Sequence, residues 1–423
     1  MRKYLILAGL IFASVFALLS CNDPVFYTVY TAVEPKDPRI TGAPTNFAVF
    51  KDVMYVASGS NIHKYYLNAE TGIAGWDSAT LQPGGRVTKI ASTENYLYAL
   101  CFSDDSSSSL KRFDGAVWED VNGDTGDYEI QNIYPVNNHL FLRSHSSKKF
   151  RIMYIDESVS LTAVNILKLT MDGEEITEET AEIIGVVHNA LNFYICTRVD
   201  GIYKTSNPAD GAASIDRETD DKEYVKSKGV EFTGIINLET DDNLIALMTR
   251  AGNLYLVNDG AVNELSQAAA VIDKSAVTSH ITLGGRQSTG ALAIYTDKDD
   301  PSKRLLLAGR QDKLNYTNDP GYTNGYLELE IDSSGIVTDK TETNDDGTVK
   351  ITIKNFIEPG KNAFSTVNDN DRYNSTIGKE PINYLFQVPA EIDSDMILFA
   401  STQQNGVRSY RNRSDGWQWN AEE

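Results

Sequence analysis

The stretch "DVNGDTGD" sets Asp120, Asn122 and Asp124 at alternate positions, the spacing with which an EF-hand loop offers oxygen ligands to calcium, a hard cation. Such a loop needs glycine at its sixth position and glutamate at its twelfth; here they are Thr125 and Gln131. The neighbouring acidic stretches hold carboxylates of the kind glycoside cleavage uses in pairs. The candidates are Asp104, Asp105, Glu119, Asp120, Asp369 and Asp371, drawn from a chain with 59 acidic residues, and no spacing singles out a pair. Of the five histidines, His63, His139, His145, His188 and His280, only His139 and His145 lie close in sequence. Six residues along one strand face separate them by roughly 20 Å, too far to share a metal unless the strand bends. The G-x-S-x-G elbow, the HExxH helix and the phosphate-binding glycine loop are missing. No residue is therefore assigned a catalytic, cofactor-binding or metal-ligating role, and a structural calcium in an Asp/Asn-rich turn stays open.

The remaining reactive side chains are thiols. Arg2 and Lys3 open the chain, and Tyr4 to Leu19 carry no formal charge. Spanning hydrocarbon takes about twenty strongly apolar residues, and this run is broken by Gly9 and Ser14. It reads as a cleaved export signal over residues 1–20. The signal ends in Leu18, Leu19, Ser20 and Cys21, which resembles the lipobox of bacterial lipoproteins. The resemblance implies that Cys21 is thioether-linked to diacylglycerol, becomes the mature N-terminus and is acylated on its amine. Leu19 stands where a small or β-branched residue is commoner, a relaxed form similar to that of spirochaetes. Acyl chains contribute about 0.8 kcal/mol per buried methylene, so such an anchor would hold an exported domain on the outer membrane or the periplasmic face of the inner membrane.

The formal charge of −21 repels nucleic acid and anionic head groups. Nucleic acid is excluded as a partner. Cys101 and Cys196 sit in the apolar runs "YLYALCFS" and "LNFYICTR" without a cysteine or histidine at short spacing. They read as buried free thiols in non-neighbouring units, neither a disulfide nor a metal pair.

The elements that must position any site repeat along the chain. Apolar strands begin at Val53, Tyr96, Leu140, Phe193, Leu244, Leu305 and Met396. Most are preceded by a strand and a polar turn ("TNFAVFKD", "VTKIASTEN", "TGIINLETDD") and followed by a third strand ("NIHKYYL", "FRIMYID", "GVRSYRN"). A fourth is marked by Asp-Gly turns in "RFDGAVWEDV", "VNDGAVNEL" and "RSDGWQWN", since that pair readily takes positive backbone angles. Four short strands every forty to fifty residues or so is the signature of a β-propeller. The expected fold is all-β, a β-propeller of seven four-stranded blades over residues 45–423, with a large insertion within about 310–381. Trp76, Trp118, Trp417 and Trp419 all fall in or beside outer strands, where they would pack between blades. The acidic stretches "LKLTMDGEEITEETAEII" and "DGAASIDRETDDKEYVKSKG" read as surface hairpins or loops. Residues 21–44 form a tether or, through "VFYTVYTAV", a closing strand.

"GWDS" lacks the glycine and histidine that open a WD40 unit, and "FDGAVW" lacks the sialidase box spacing. The lipobox, the degenerate blades and the C-terminal "GVRSYRNRSDGWQWNAEE" together are similar to propeller lipoproteins of treponemes, a resemblance that supplies no reaction. The sequence therefore points to a monomeric, lipid-anchored envelope protein whose propeller is a non-catalytic binding or scaffold module for an envelope protein or a glycan. The alternative is a carbohydrate-active hydrolase or lyase using carboxylates at the channel. Replacing Cys21 by alanine should move the protein from the membrane to the soluble fraction; unchanged attachment on fractionation would refute lipidation.

Overall fold

The computed structural model describes residues 39–422 apart from a set of loop segments, the longest being 215–230, 258–280, 312–325 and 352–380. Every extended element is a β-strand, and the only helical turn among the described residues is a 3-10 turn at Pro208–Asp210. No helix among them is long and apolar enough to cross a membrane.

Sheet 1 shows the unit. Phe47–Phe50, Val53–Ser58, Asn61–Asn68 and Ile73–Trp76 pair antiparallel in chain order. Its first turn is tight, with Lys51 and Asp52 at φ of 50° and 57°, the doubly left-handed backbone that matches strand twist in a two-residue hairpin. Five further sheets repeat this order, beginning at Arg86, Glu129, Phe232, Gln287 and Ile382. The sheet that begins its inner strand at Ile183 is different. Its four strands are joined at the outer edge by Leu169–Met171, which runs parallel to Ala212–Ser214 and carries the hairpin partner Glu174–Glu175.

The all-β propeller with four-stranded blades thus stands, but six sheets have four strands and one has six. Seven four-stranded blades are expected; the six-stranded sheet arises because "LKLTMDGEE" forms a hairpin, as expected for that stretch, and pairs with the sheet's edge. The fifth sheet is completed from further along the chain. Its fourth strand is Ile281–Thr282, opposite Asn253 and Leu254, and the expected strand in "AVNEL" lies outside the described residues. The segment between the last two sheets contains a separate hairpin, Thr341–Thr343 with Val349–Ile351. The stretch "VFYTVYTAV" is also outside the described residues.

Inner strands touch in a closed cycle, from Phe47–Phe50 through those starting at Arg86, Glu129, Ile183, Phe232, Gln287 and Ile382 and back to the first. Each junction has its own apolar cluster. Ala48, Tyr55 and Ile62 meet Val87, Ile90 and Leu97 between the first two sheets, and Tyr194, Cys196 and Ile202 meet Phe232, Ile245 and Leu247 further round. A second strand is covered on both faces, so Val56, Ala99, Leu142, Ile195, Met248, Leu306 and Phe399 are all buried. That two-sided burial removes the polar alternation of a half-exposed strand.

Polar side chains lock neighbouring sheets to one another. The Asn46 amide donates to Ile90 O at 2.7 Å and accepts from Ile90 N at 3.1 Å. Gln387 makes the same two-way contact with the Thr296 backbone, at 2.7 and 2.8 Å. Buried Glu157 accepts from Thr93, Tyr98 and Asn95 across another junction.

The chain ends meet without exchanging a strand, since the last sheet is built wholly from Ile382–Gln387, Leu398–Thr402, Val407–Arg413 and Gly416–Ala421. Residues 39–44 run along this seam. Gly406 N donates to Gly42 O at 2.9 Å, Val407 N to Ile40 O at 3.1 Å, and Ser401 Oγ to Pro44 O at 2.6 Å. Tyr65, Trp76 and Phe399 form a triangle of edge-on rings with centroids 5.1 to 5.7 Å apart. Trp76 Nε1 donates to Glu422 at 2.6 Å, Arg411 pairs with the same carboxylate at 2.9 Å, and Tyr65 OH donates to Asp393 at 2.5 Å.

Around the axis the inner strands come closest at glycines. A Cβ on Gly234 would lie 2.7 Å from Gly290 O, whereas one on Gly75, in an outer strand, would meet nothing within 4 Å. Gly234→Ala should therefore lower stability by about 1–3 kcal/mol, the usual range for overpacking, while Gly75→Ala stays near wild type. Thermal unfolding of the two variants checks this, and equal midpoints would contradict it.

Candidate functional site

The channel side of every inner strand except Phe47–Phe50 is shaped by a β-bulge. Register slips between Val87 and Lys89, Ile183 and Gly185, Phe232 and Gly234, Ser288 and Leu292, and Ile382 and Tyr384. In the third sheet it slips opposite Arg143 and Ser144, at Gln131. A bulge leaves its extra residue outside the ladder and turns the strand. Threonines use the freed geometry: Thr88 Oγ1 donates to Leu100 O at 3.3 Å, and Thr233 Oγ1 to Met248 O at 3.2 Å. In the first sheet Thr45 supplies the equivalent contact by accepting from Ala57 N at 3.0 Å.

The residues following the bulges line an axial cavity of about 840 Å³. Lys89, Asn132 and Tyr384 line one side, and Gly185, Gly234 and Gly290 stand on the other, where the adjacent inner strands pack closely. Lys89 Nζ donates to Tyr384 OH at 3.1 Å and lies 4.5 Å from the centroid of that ring, a cation–π arrangement. Asn132 donates to Tyr134 OH at 3.0 Å, and that hydroxyl donates to Ile183 O at 2.9 Å. Burial pushes the Tyr134 phenol well above its ordinary range, so it serves as a neutral hydrogen-bonding group. Arg86 and Lys89 are the charged side chains of the described lining, which contains no carboxylate. The Arg143–Glu182 pair, at 2.7 Å, is not part of that lining.

The residues singled out in the sequence lie mostly elsewhere. Cys21, Asp104, Asp105, Asn122, Asp124, Thr125, His280, Asp369 and Asp371 lie outside the described residues. Glu119 and Asp120 are exposed on the outer strand Trp118–Asp120. They pair with Arg112 and Lys111, each at 2.9 Å, and take no part in the channel. Among the described residues no group of three His, Cys, Asp or Glu side chains is placed to hold a metal. Cys101 and Cys196 are free and buried, and burial pushes the Cys101 thiol up to about 11, which suppresses the thiolate.

His139 and His145 are not brought together. His145 faces Phe150 with centroids 5.0 Å apart. His139 and, from the next sheet, His188 instead flank one ring, each edge-on to Phe193 at 4.9 and 4.6 Å. Sequence spacing missed this pair because the two histidines belong to different repeats. It also missed Lys89, whose only signal was a basic residue in "VTKIASTEN" at the position that is Asn132, Gly185, Gly234 and Tyr384 in other repeats.

No protein-family model matches the chain, and no curated protein matches it. Solved structures are similar at the level of a repeated β-fold. The chain is 12% identical to the extracellular domain of a hybrid two-component system of B. thetaiotaomicron, with 88% of this chain covered and a TM-score of 0.48; it spans only 38% of that chain. It is 9% identical to the WD40 propeller domain of Doa1, over 90% of this chain and 96% of that one, at a TM-score of 0.46. For Sqt1 of Saccharomyces cerevisiae the figures are 12%, 91%, 86% and 0.47.

The histidine pair has a thermodynamic consequence. Burial lowers the pKa of His139, partly offset by Asp156, and burial together with His139 lowers that of His188. The unfolded chain then binds more protons than the folded one below the ordinary value of 6.5, so stability rises with pH through that region. It is fully present above 6.5 and declines as pH falls. Thermal midpoints measured from pH 8 down to pH 5 should fall, and His139→Gln should flatten the decline. An unchanged slope in that variant would remove His139 from the account.

Proposed function

We propose that the protein is a membrane-tethered, extracytoplasmic binding module that engages an envelope glycan or protein at the axial channel of its propeller. The observation that carries this reading is the cavity of about 840 Å³, lined mostly by residues of the inner strands together with the hydrogen-bonded segment 41–45. That size lies within the range of about 300–1,000 Å³ for ligand pockets. The Asn46, Gln387 and Tyr134 contacts that hold adjacent sheets also fix the strands carrying the lining residues. A preformed site loses little ordering entropy on binding.

Membrane tethering rests on the Cys21 lipobox alone. Hydrolysis or lysis by channel carboxylates draws no support from the described lining, whose charges are basic.

The test uses the mature chain carrying Cys21→Ala, immobilised beside the same chain with Asn383→Trp, which puts an indole into the cavity wall. A glycan panel and solubilised envelope are passed over both. Specific retention by the first and its loss in the second, with both folded by circular dichroism, is the expected outcome. Equal retention would place binding away from the channel and refute this reading.

A further inference from the structure

The channel's two cations have no carboxylate among the described residues to pair with. Several basic side chains elsewhere are paired with carboxylates: Lys64 with Asp77, Lys111 with Asp120, Arg143 and Arg198 with Glu182, Arg250 with Glu231 and Arg411 with Glu422. In a chain with 59 acidic and 38 basic residues, gathering Arg86 and Lys89 in one cavity with no carboxylate among its described lining residues concentrates positive potential where the protein as a whole repels anions. Lys89 is also aimed. An ammonium carries three donors; Tyr384 OH takes one and its ring steadies the head group, so the other donors remain for an occupant.

The rest of the lining selects between classes of anion. Protein partners draw most of their affinity from aromatic or apolar anchors seated in dry pockets. Here Asn132, Asn383 and Thr88 present amides and a hydroxyl, with Tyr384 as an aromatic wall. The opposite wall holds the buried glycines Gly185 and Gly234 beside Ile184, Ile235 and Leu292, an apolar face for the ring of a sugar. Amides and hydroxyls around a cation match the hydroxyls and carboxylate of an acidic sugar.

Resting on the binding-module reading, we propose that the channel binds a carboxylate-bearing saccharide of the uronic acid class, its carboxylate held by Lys89 and Arg86 and its hydroxyls by Asn132 and Asn383.

Titration calorimetry on the mature Cys21→Ala chain tests this with oligogalacturonate, its methyl ester of equal length and oligoglutamate. The acidic sugar should bind at least tenfold more tightly than either, and the affinity should fall as salt is raised from 20 to 200 mM. Lys89→Met and Arg86→Met, which keep most of the apolar stem, should each weaken it tenfold or more without moving the thermal midpoint. Equal affinity for the ester, or insensitivity to both substitutions, overturns the proposal. Preference for oligoglutamate overturns it in favour of an acidic peptide. If the ester or another neutral glycan binds and Asn383→Trp abolishes that binding, the charge assignment fails while the binding-module reading survives.

Discussion

Closure of the ring is the constraint on which the rest of the molecule depends. Because no strand crosses from the first sheet to the last, the seam is held by side chains and by residues 39–44. The network is built on one buried carboxylate. Glu422 accepts from Trp76 Nε1 and pairs with Arg411, and Ser409 Oγ also donates to it. Removing one partner of such a pair costs about 3–5 kcal/mol, because the other is left charged and buried. The seam therefore has stronger specificity than an apolar joint: only one register of the chain ends satisfies Glu422, Asp393 and the edge-on contacts of Tyr65, Trp76 and Phe399 together.

Once the ring is shut, the inner strands must converge on a narrow axis, and the bulges and glycines follow from that. Gly234 faces Gly290 O, and Gly290 holds φ at +82° with Thr233 O 2.6 Å from where its Cβ would be. Side chains at those positions would force the sheets apart. Lys89, Asn132 and Tyr384 are tolerated only where the strands stand further off. The lumen is consequently lopsided, with Lys89, Asn132 and Tyr384 on one wall and glycines beside Ile184, Ile235 and Leu292 on the other. Packing necessity and the polar lining of the cavity thus have one origin, the geometry of the bulged inner strands.

The parts of the fold that were legible in the sequence are those where burial is two-sided. The second strands announced themselves as unbroken apolar runs at Val53, Leu140 and Leu305, and the structure places strands at Val53–Ser58, His139–Ser146 and Arg304–Gln311. The Asp-Gly turn at Asp114 was equally plain, its carboxylate capping Ala116 N and Val117 N at 2.7 and 2.9 Å. Edge elements were not legible. Leu169–Met171 joins a neighbour's edge through a pairing with Ala212–Ser214 that no local pattern encodes. The candidate site was less legible still, for a geometric reason. Propeller sites assemble from one residue per repeat, about forty positions apart, so motif spacing within a repeat cannot find them.

That geometry also explains why acidic residues attracted attention and basic ones did not. Asp and Glu are abundant in the turns of this chain because they cap them, as Asp114 does, or pair at the surface, as Glu119 and Asp120 do with Arg112 and Lys111. Exposed pairs of this sort contribute about 0–1 kcal/mol each, and their number says little about chemistry. Lys89 is one ordinary residue in a strand by sequence, but folding places it beside Tyr384, two sheets round the ring, with no carboxylate of the described lining to neutralise it. A charge acquires functional meaning from what the fold withholds from it as much as from what it supplies.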